Sequence, residues 1–254
     1  MRVSCLMVTL PERREMMIRA ARAWIGQSHA DRELIVVIDR GPPAERAAAV
    51  AALAALGRAD IRAVVPDGPL SLGALRNLSV AHATGEAICQ WDDDDLHHPE
   101  RIARQLAAMT QADAAATLLQ DVMLYRAEPR TLHWLNWAAT PAGGHPGTLF
   151  CRRDRMPAYV ETGPTARLGE DLDLLVRLQA REAVFPQAGE PHLYVYVTHG
   201  ANSTAAEHHA LLAERLAISQ GLLRRREAGL REGLRPFGLD GASVEGFNGP
   251  AFTL

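Results

Sequence analysis

Three continuous apolar runs, "VSCLMVT" at 3–9, "ELIVVID" at 33–39 and "EAICQW" at 86–91, constrain this chain more than any other feature. Such runs suit strands covered on both faces, the situation of a parallel sheet with helices above and below it. The intervals carry the helices. After Pro11, the residues Met17, Ala20, Ala21, Trp24 and Ile25 recur at helical spacing. An alanine-rich stretch at 44–56 closes at Gly57, and a third helix follows Ser71, a candidate N-cap, and stops before Gly85. With a short strand "IRAVV" at 61–65, the order is strand, helix, strand, helix in repeat. That order predicts an α/β fold with a Rossmann-like, mostly parallel sheet and helices on both faces.

The second half is less regular. "AATLLQDVMLYR" reads as one long strand, "TLHWLNWAATPAGGHPG" as a loop rich in aromatics and glycine, and "TLFCRRD" as a short strand. A helix at "EDLDLLVRLQARE" precedes the strand "HLYVYVTH", and one amphipathic helix is expected over 207–227. The expected organisation is a single domain over 1–228, divided into an N-terminal half, 1–106, and a mixed half, 107–228. A glycine-rich, weakly patterned tail, 229–254, follows.

Composition narrows the function. Of 254 residues, 48% are hydrophobic and 22% charged, enough for a substantial core. Lys plus Arg count 27 and Asp plus Glu 30, a net charge of −3, so no field for a polyanion is implied and nucleic acid is not an expected partner. Three cysteines, Cys5, Cys89 and Cys151, form neither a CxxC motif nor an even set, which fits a reducing cytoplasm. The N-terminus has no signal-peptide layout, and no apolar run is long enough to span a membrane.

The third run leads directly into Asp92, Asp93, Asp94 and Asp95. Two carboxylates about 5 Å apart repel by roughly 3 kcal/mol at an effective dielectric near 20, so solvent or a cation must offset them. If strand geometry persists, Asp92 and Asp94 share one side and Asp93 and Asp95 the other. Two same-side carboxylates are half of a Mg2+ or Mn2+ site, and such ions commonly take further oxygens from a phosphorylated ligand. Thr9, Asp39 and the acid run each end an expected strand, where ligands bind in open α/β sheets. An isoprenoid diphosphate DDxxD motif would need a helix here, which the preceding strand and His98-Pro99 disfavour. A dehalogenase-type DxD would follow the first strand, whereas this run follows roughly the fourth.

The stretch "SLGALRNLSVAHATGEAICQWDDDDLHHPERI" resembles the donor-site signature of family 2 glycosyltransferases with the GT-A fold: an Arg-Asn pair on a helix, an Ala-x-Gly-Glu turn and a DxD at a strand end. The opening block, 3–39, is similar to the family's first strand, helix and second strand. "GEDLDLLVRL" resembles its Glu-Asp motif near the acceptor, and "THGANS" its late His-x-x-Asn-x-Ser element. The stretch "PAYVETGPTARLGED" departs from the Gly-Gly-Phe-Asp pattern often found before Glu-Asp, which leaves acceptor specificity open.

The resemblance implies inverting transfer of a sugar from a nucleoside diphosphate, UDP foremost, to a saccharide, lipid or small-molecule acceptor, assisted by Mn2+ or Mg2+. It makes 1–106 the nucleotide-binding half and 107–228 the acceptor half. It implies Asp94, Asp92 and His199 as metal contacts, and Asp171, with Glu170, as catalytic carboxylates. Thr9, Pro11, Glu12, Arg13, Asp39, Gly73, Arg76, Asp92 and Asp93 become the nucleotide-sugar contacts. Ordinary roles compete: Glu170 and Asp171 also suit a helix N-terminus, and Trp134, Trp137 and Tyr125 suit a core as well as an acceptor sugar. Asp95 is read as leading into the next helix, and His97 and His98 as structural. A GT-A-like module that binds without turnover is the second reading, and a nucleotidyltransferase a third. The C-terminal helix and tail are candidates for self-association or a peripheral membrane contact.

Overall fold

In a computed structural model of the protein, residues 1–199 and 206–254 are described. The N-terminal elements are β1 (Val3–Thr9), α1 (Arg14–Ile25), β2 (Arg32–Ile38), α2 (Pro43–Ala54), β3 (Ile61–Val64), α3 (Leu72–Ala81), β4 (Ala87–Gln90), β5 (Leu96–His97) and α4 (Arg101–Gln111). They are followed by β6 (Ala116–Leu119), β7 (Asp121–Arg126), β8 (Thr131–Asn136), β9 (Phe150–Arg152), α5 (Glu170–Gln179), β10 (Val184–Gln187) and β11 (Tyr194–Thr198). The chain ends with α6 (Ala206–Leu216), α7 (Gln220–Arg225), α8 (Glu227–Leu234), β12 (Ser243–Gly246) and β13 (Gly249–Thr253).

Among the described residues, one sheet has seven strands in the order β10-β6-β9-β4-β1-β2-β3, all parallel except β9, which runs antiparallel to both neighbours. Alternation assigns its faces. Val3, Cys5 and Met7 of β1 pack with Met17 and Trp24 of α1, Leu53 of α2 and Ile102 and Met109 of α4. Leu6 faces the opposite way, toward Ile35, Ile88 and Val80 of α3. The long apolar runs are therefore strands buried on both sides, as their composition requires.

The second sheet, β13-β12-β8-β7-β11-β5, is mixed. Here the structure corrects four readings. "AATLLQDVMLYR" is two strands in two sheets, because the chain changes sheet at Gln120, whose N–H donates to Gln187 O and whose carbonyl accepts from Trp137 N. "TLHWLNW" contains β8, which pairs antiparallel with β7 along its whole length. The helix expected over 207–227 breaks at Ala217 and Ile218, where Ile218 N donates to Trp134 O, and Ser219 then caps α7. The expected tail holds the end of α8 and the β12–β13 hairpin, and its Val244 and Ala242 are fully buried against Leu223, Leu230 and Leu234. A hydrophobicity pattern shows that a segment is buried, but not which sheet buries it.

Candidate active site

The C-terminal ends of β1, β2 and β4 lie side by side, so Thr9, Asp39 and the acid loop converge. Asp39 N donates to Thr9 O at 2.9 Å, and Trp91 N to Leu6 O at 3.0 Å. β4 stops at Gln90, and the chain bends at Asp93, Asp94 and Asp95 before β5. Burial still alternates along it, with Asp93 and Asp95 buried and Asp92 and Asp94 half-buried, and each acid has its own surroundings.

Asp93 is buried. Its Oδ2 accepts the Thr9 hydroxyl at 2.5 Å and its Oδ1 meets Arg13 Nη1 at 3.0 Å. Burial, then the neighbouring Asp94, push its carboxyl up to about 6 despite Thr9 and Arg13. Asp94 is half-buried: its Oδ2 lies 3.2 Å from Arg13 Nη1 and 3.3 Å from His199 Nε2, while its backbone oxygen accepts from Arg19. Asp92 Oδ1 accepts Gln90 Nε2 at 2.7 Å and lies 3.9 Å from Arg76 Nη1. Burial raises the Asp92 pKa, with Arg76 opposing and Asp94 reinforcing.

Asp95 corrects the expectation that it merely leads into a helix. It is 3% exposed, accepts the Tyr194 hydroxyl, and takes the Val197 N–H at 2.8 Å. Behind the loop, Arg101 is wholly buried and bridges His97 Nδ1, Gln105 Oε1 and the Gln90 carbonyl. The His97 ring stacks on Trp91 at 3.9 Å between centroids. Both histidines are thus structural: His97 in this network, and His98 against His192 and Phe237.

Across the loop, Glu170 is buried in the first turn of α5 and pairs with Arg76 Nε at 2.8 Å. Arg76 therefore links α3, the Glu-Asp motif and Asp92. Asp171 is half-buried, and its Oδ1 accepts the Leu172 N–H at 2.7 Å. Both acids act on the Arg76 and Tyr159 side chains through space.

The remaining expected contacts differ in burial. Pro11 is buried and lies against Gly41, while Glu12 is exposed. Gly73 serves packing: a Cβ there would lie 1.9 Å from Val160 O. Asp39 is 6% exposed, and its Oδ1 has no hydrogen-bond partner among the described residues. Trp134 is core, with Nε1 on Asp121 Oδ1 at 2.7 Å, Trp137 packs edge-on against His145, and Tyr125 packs at the edge of the second core. Gly200, Asn202 and Ser203 of the late motif lie outside the described residues. Sequence reasoning missed Gln90, Arg101 and Tyr194 and misread Asp95. Of the three missed, only Tyr194 had a signal, its alternation with Tyr196 in "YVYVT".

Residues 4–158 match the sequence model of Glycosyl transferase family 2. The chain belongs to this family. The glycosyltransferase also shares its fold with solved structures of low identity. The structure of S. aureus TarS 1-349 in complex with UDP aligns with a TM-score of 0.60 at 14% identity, covering 91% of this chain and 73% of that one. TarS 1-349 in complex with UDP-GlcNAc gives 0.60 at 13%, covering 93% and 71%. The mannosyltransferase PcManGT from Pyrobaculum calidifontis, in complex with GDP-Man and Mn2+, gives 0.60 at 12%, covering 92% and 67%. The fold is the GT-A arrangement. No curated protein matches the sequence significantly. Among the described residues, no helix is long and apolar enough to cross a membrane.

Proposed function

We propose that this glycosyltransferase moves a sugar from a nucleoside diphosphate, UDP foremost, to an acceptor hydroxyl with inversion, assisted by Mn2+ or Mg2+. The observation that carries this reading is the meeting of Asp94 with His199 at 3.3 Å on the rim where β1, β2 and β4 end. The complexes of TarS with UDP and UDP-GlcNAc, and of PcManGT with GDP-Man and Mn2+, support the donor class.

The donor set suits the cation. Asp94 and His199 offer an oxygen and a nitrogen, and among the described residues no three acidic, histidine or cysteine side chains form a metal cluster. Two protein contacts suit an ion whose other positions go to diphosphate oxygens and water. When bound, it would stabilise charge on the departing diphosphate.

The chain's own residues do the rest. Thr9 and Arg13 hold Asp93 and keep the loop in place, and the free Asp39 Oδ1 is an acceptor for a ribose hydroxyl or base N–H. Asp171 takes the acceptor's proton as its oxygen bonds to the anomeric carbon, with Glu170 fixing the helix start through Arg76. The cytoplasm is the proposed compartment, consistent with three free cysteines.

Replacing Asp94 by Asn is expected to abolish the Mn2+-dependent part of UDP binding in calorimetry, and unchanged Mn2+-dependent binding would refute the metal contact. For Asp171→Asn, donor binding should persist while transfer falls by about a thousandfold or more, on the scale of a lost general base. Wild-type turnover would remove Asp171 from the mechanism.

A further inference from the structure

Asp95 stands where a ladder of backbone hydrogen bonds ends. β5 pairs antiparallel with β11 over two residues only, His97 against Tyr194 and Leu96 against Val195. Past that point the backbone of the acid loop turns away, and the Asp95 carboxylate takes its place. Oδ1 accepts the Val197 N–H at 2.8 Å, and Oδ2 accepts the hydroxyl of Tyr194. At 3% exposure these bonds meet little competition from water.

The anchored groups flank the cation pair. Asp94 is the residue before Asp95, and His199 follows Val197 by two residues, at most about 7 Å of extended chain. We infer that Asp95 is a positioning residue that sets the gap between Asp94 and His199 by fastening the end of β11 to the acid loop. The inference rests on the reading of Asp94 and His199 as cation contacts. Loss of the carboxylate takes from Val197 its acceptor on the acid-loop side, which frees the two halves of the pair to drift apart.

The test compares Asp95→Ala with Asp95→Asn, which keeps an acceptor for Val197, in the full chain. Mn2+ is titrated in the presence of UDP with free Mn2+ read by electron paramagnetic resonance. Asp95→Ala is expected to weaken Mn2+ binding by about ten- to a hundredfold, the usual cost of losing an outer-shell partner. Asp95→Asn should stay within about threefold, since its amide oxygen can still accept. Should Asp95→Ala not fold, Asp95→Ser, whose hydroxyl is too short to reach Val197, replaces it. A folded variant that melts lower yet binds Mn2+ like wild type would overturn the positioning role. A second measurement needs no metal: crystals of the variant should show Asp94 and His199 further apart by about 1 Å or more, the looseness that disables a site. An unchanged gap overturns the inference. If wild type binds no Mn2+ with UDP, the cation reading fails and the crystallographic gap decides the role of Asp95.

Discussion

Arg76 is a buried cation set among the acids of the site. Burial opposes its charge, yet Tyr159, Asp92, Glu170 and Asp171 together hold its pKa above the ordinary value. Its shortest ion pair is with Glu170, itself 3% exposed, so breaking the pair strands a buried carboxylate. Arg76→Met should destabilise the fold by about 3 kcal/mol in urea denaturation, and Arg76→Met with Glu170→Gln should recover part of that loss. Additive effects of the two substitutions would show that the pair is not coupled. A guanidinium so engaged is a brace between the acid loop and α5.

At the level of elements, His145 ties the second sheet to the loop before β9. It is buried, its Nδ1 accepts the Gly147 N–H at 3.1 Å, and its ring meets Trp137, Tyr194 and Tyr196. Burial, then the charge of Arg101, lower its pKa to about 3. Because the folded value lies below the unfolded one, its contribution is complete above about pH 6.5 and is lost as the pH falls toward 3. Between pH 6.5 and pH 5 that loss is about 2 kcal/mol. In His145→Asn, which keeps an acceptor for Gly147, the drop in denaturation free energy over this range should be smaller by about that amount. An equal drop in both proteins would place the acid sensitivity elsewhere.

These elements show how far the sequence could be read. The runs 3–9, 33–39 and 86–91 declared β1, β2 and β4 because strands covered on both faces are apolar throughout. The gathering of Thr9, Asp39 and the acids followed from topology. What stayed hidden was set by tertiary partners. The division of "AATLLQDVMLYR" depends on Gln187 and Trp137, and the separate fates of four identical aspartates depend on Thr9, Arg13, Gln90, Arg76, Tyr194 and His199. No local pattern encodes such partners, most of which lie far along the chain.

On the scale of the whole molecule, the C-terminal hairpin belongs to the core. β12 pairs with β8, and Val244 is fully buried. A chain ending at residue 240 should lose its near-ultraviolet circular dichroism and become protease-sensitive. Native-like spectra would show that the second sheet closes without the hairpin.

The lone antiparallel strand of the first sheet also sets an order of assembly. β6 joins β4 only through β9, so residues 116–119 must wait on the ribosome until 150–152 have been made before they can pair. Until then β4 presents an unpaired edge. Closure of the sheet is thus a late, long-range event in the life of the nascent chain, falling after β1 to β4 have been made.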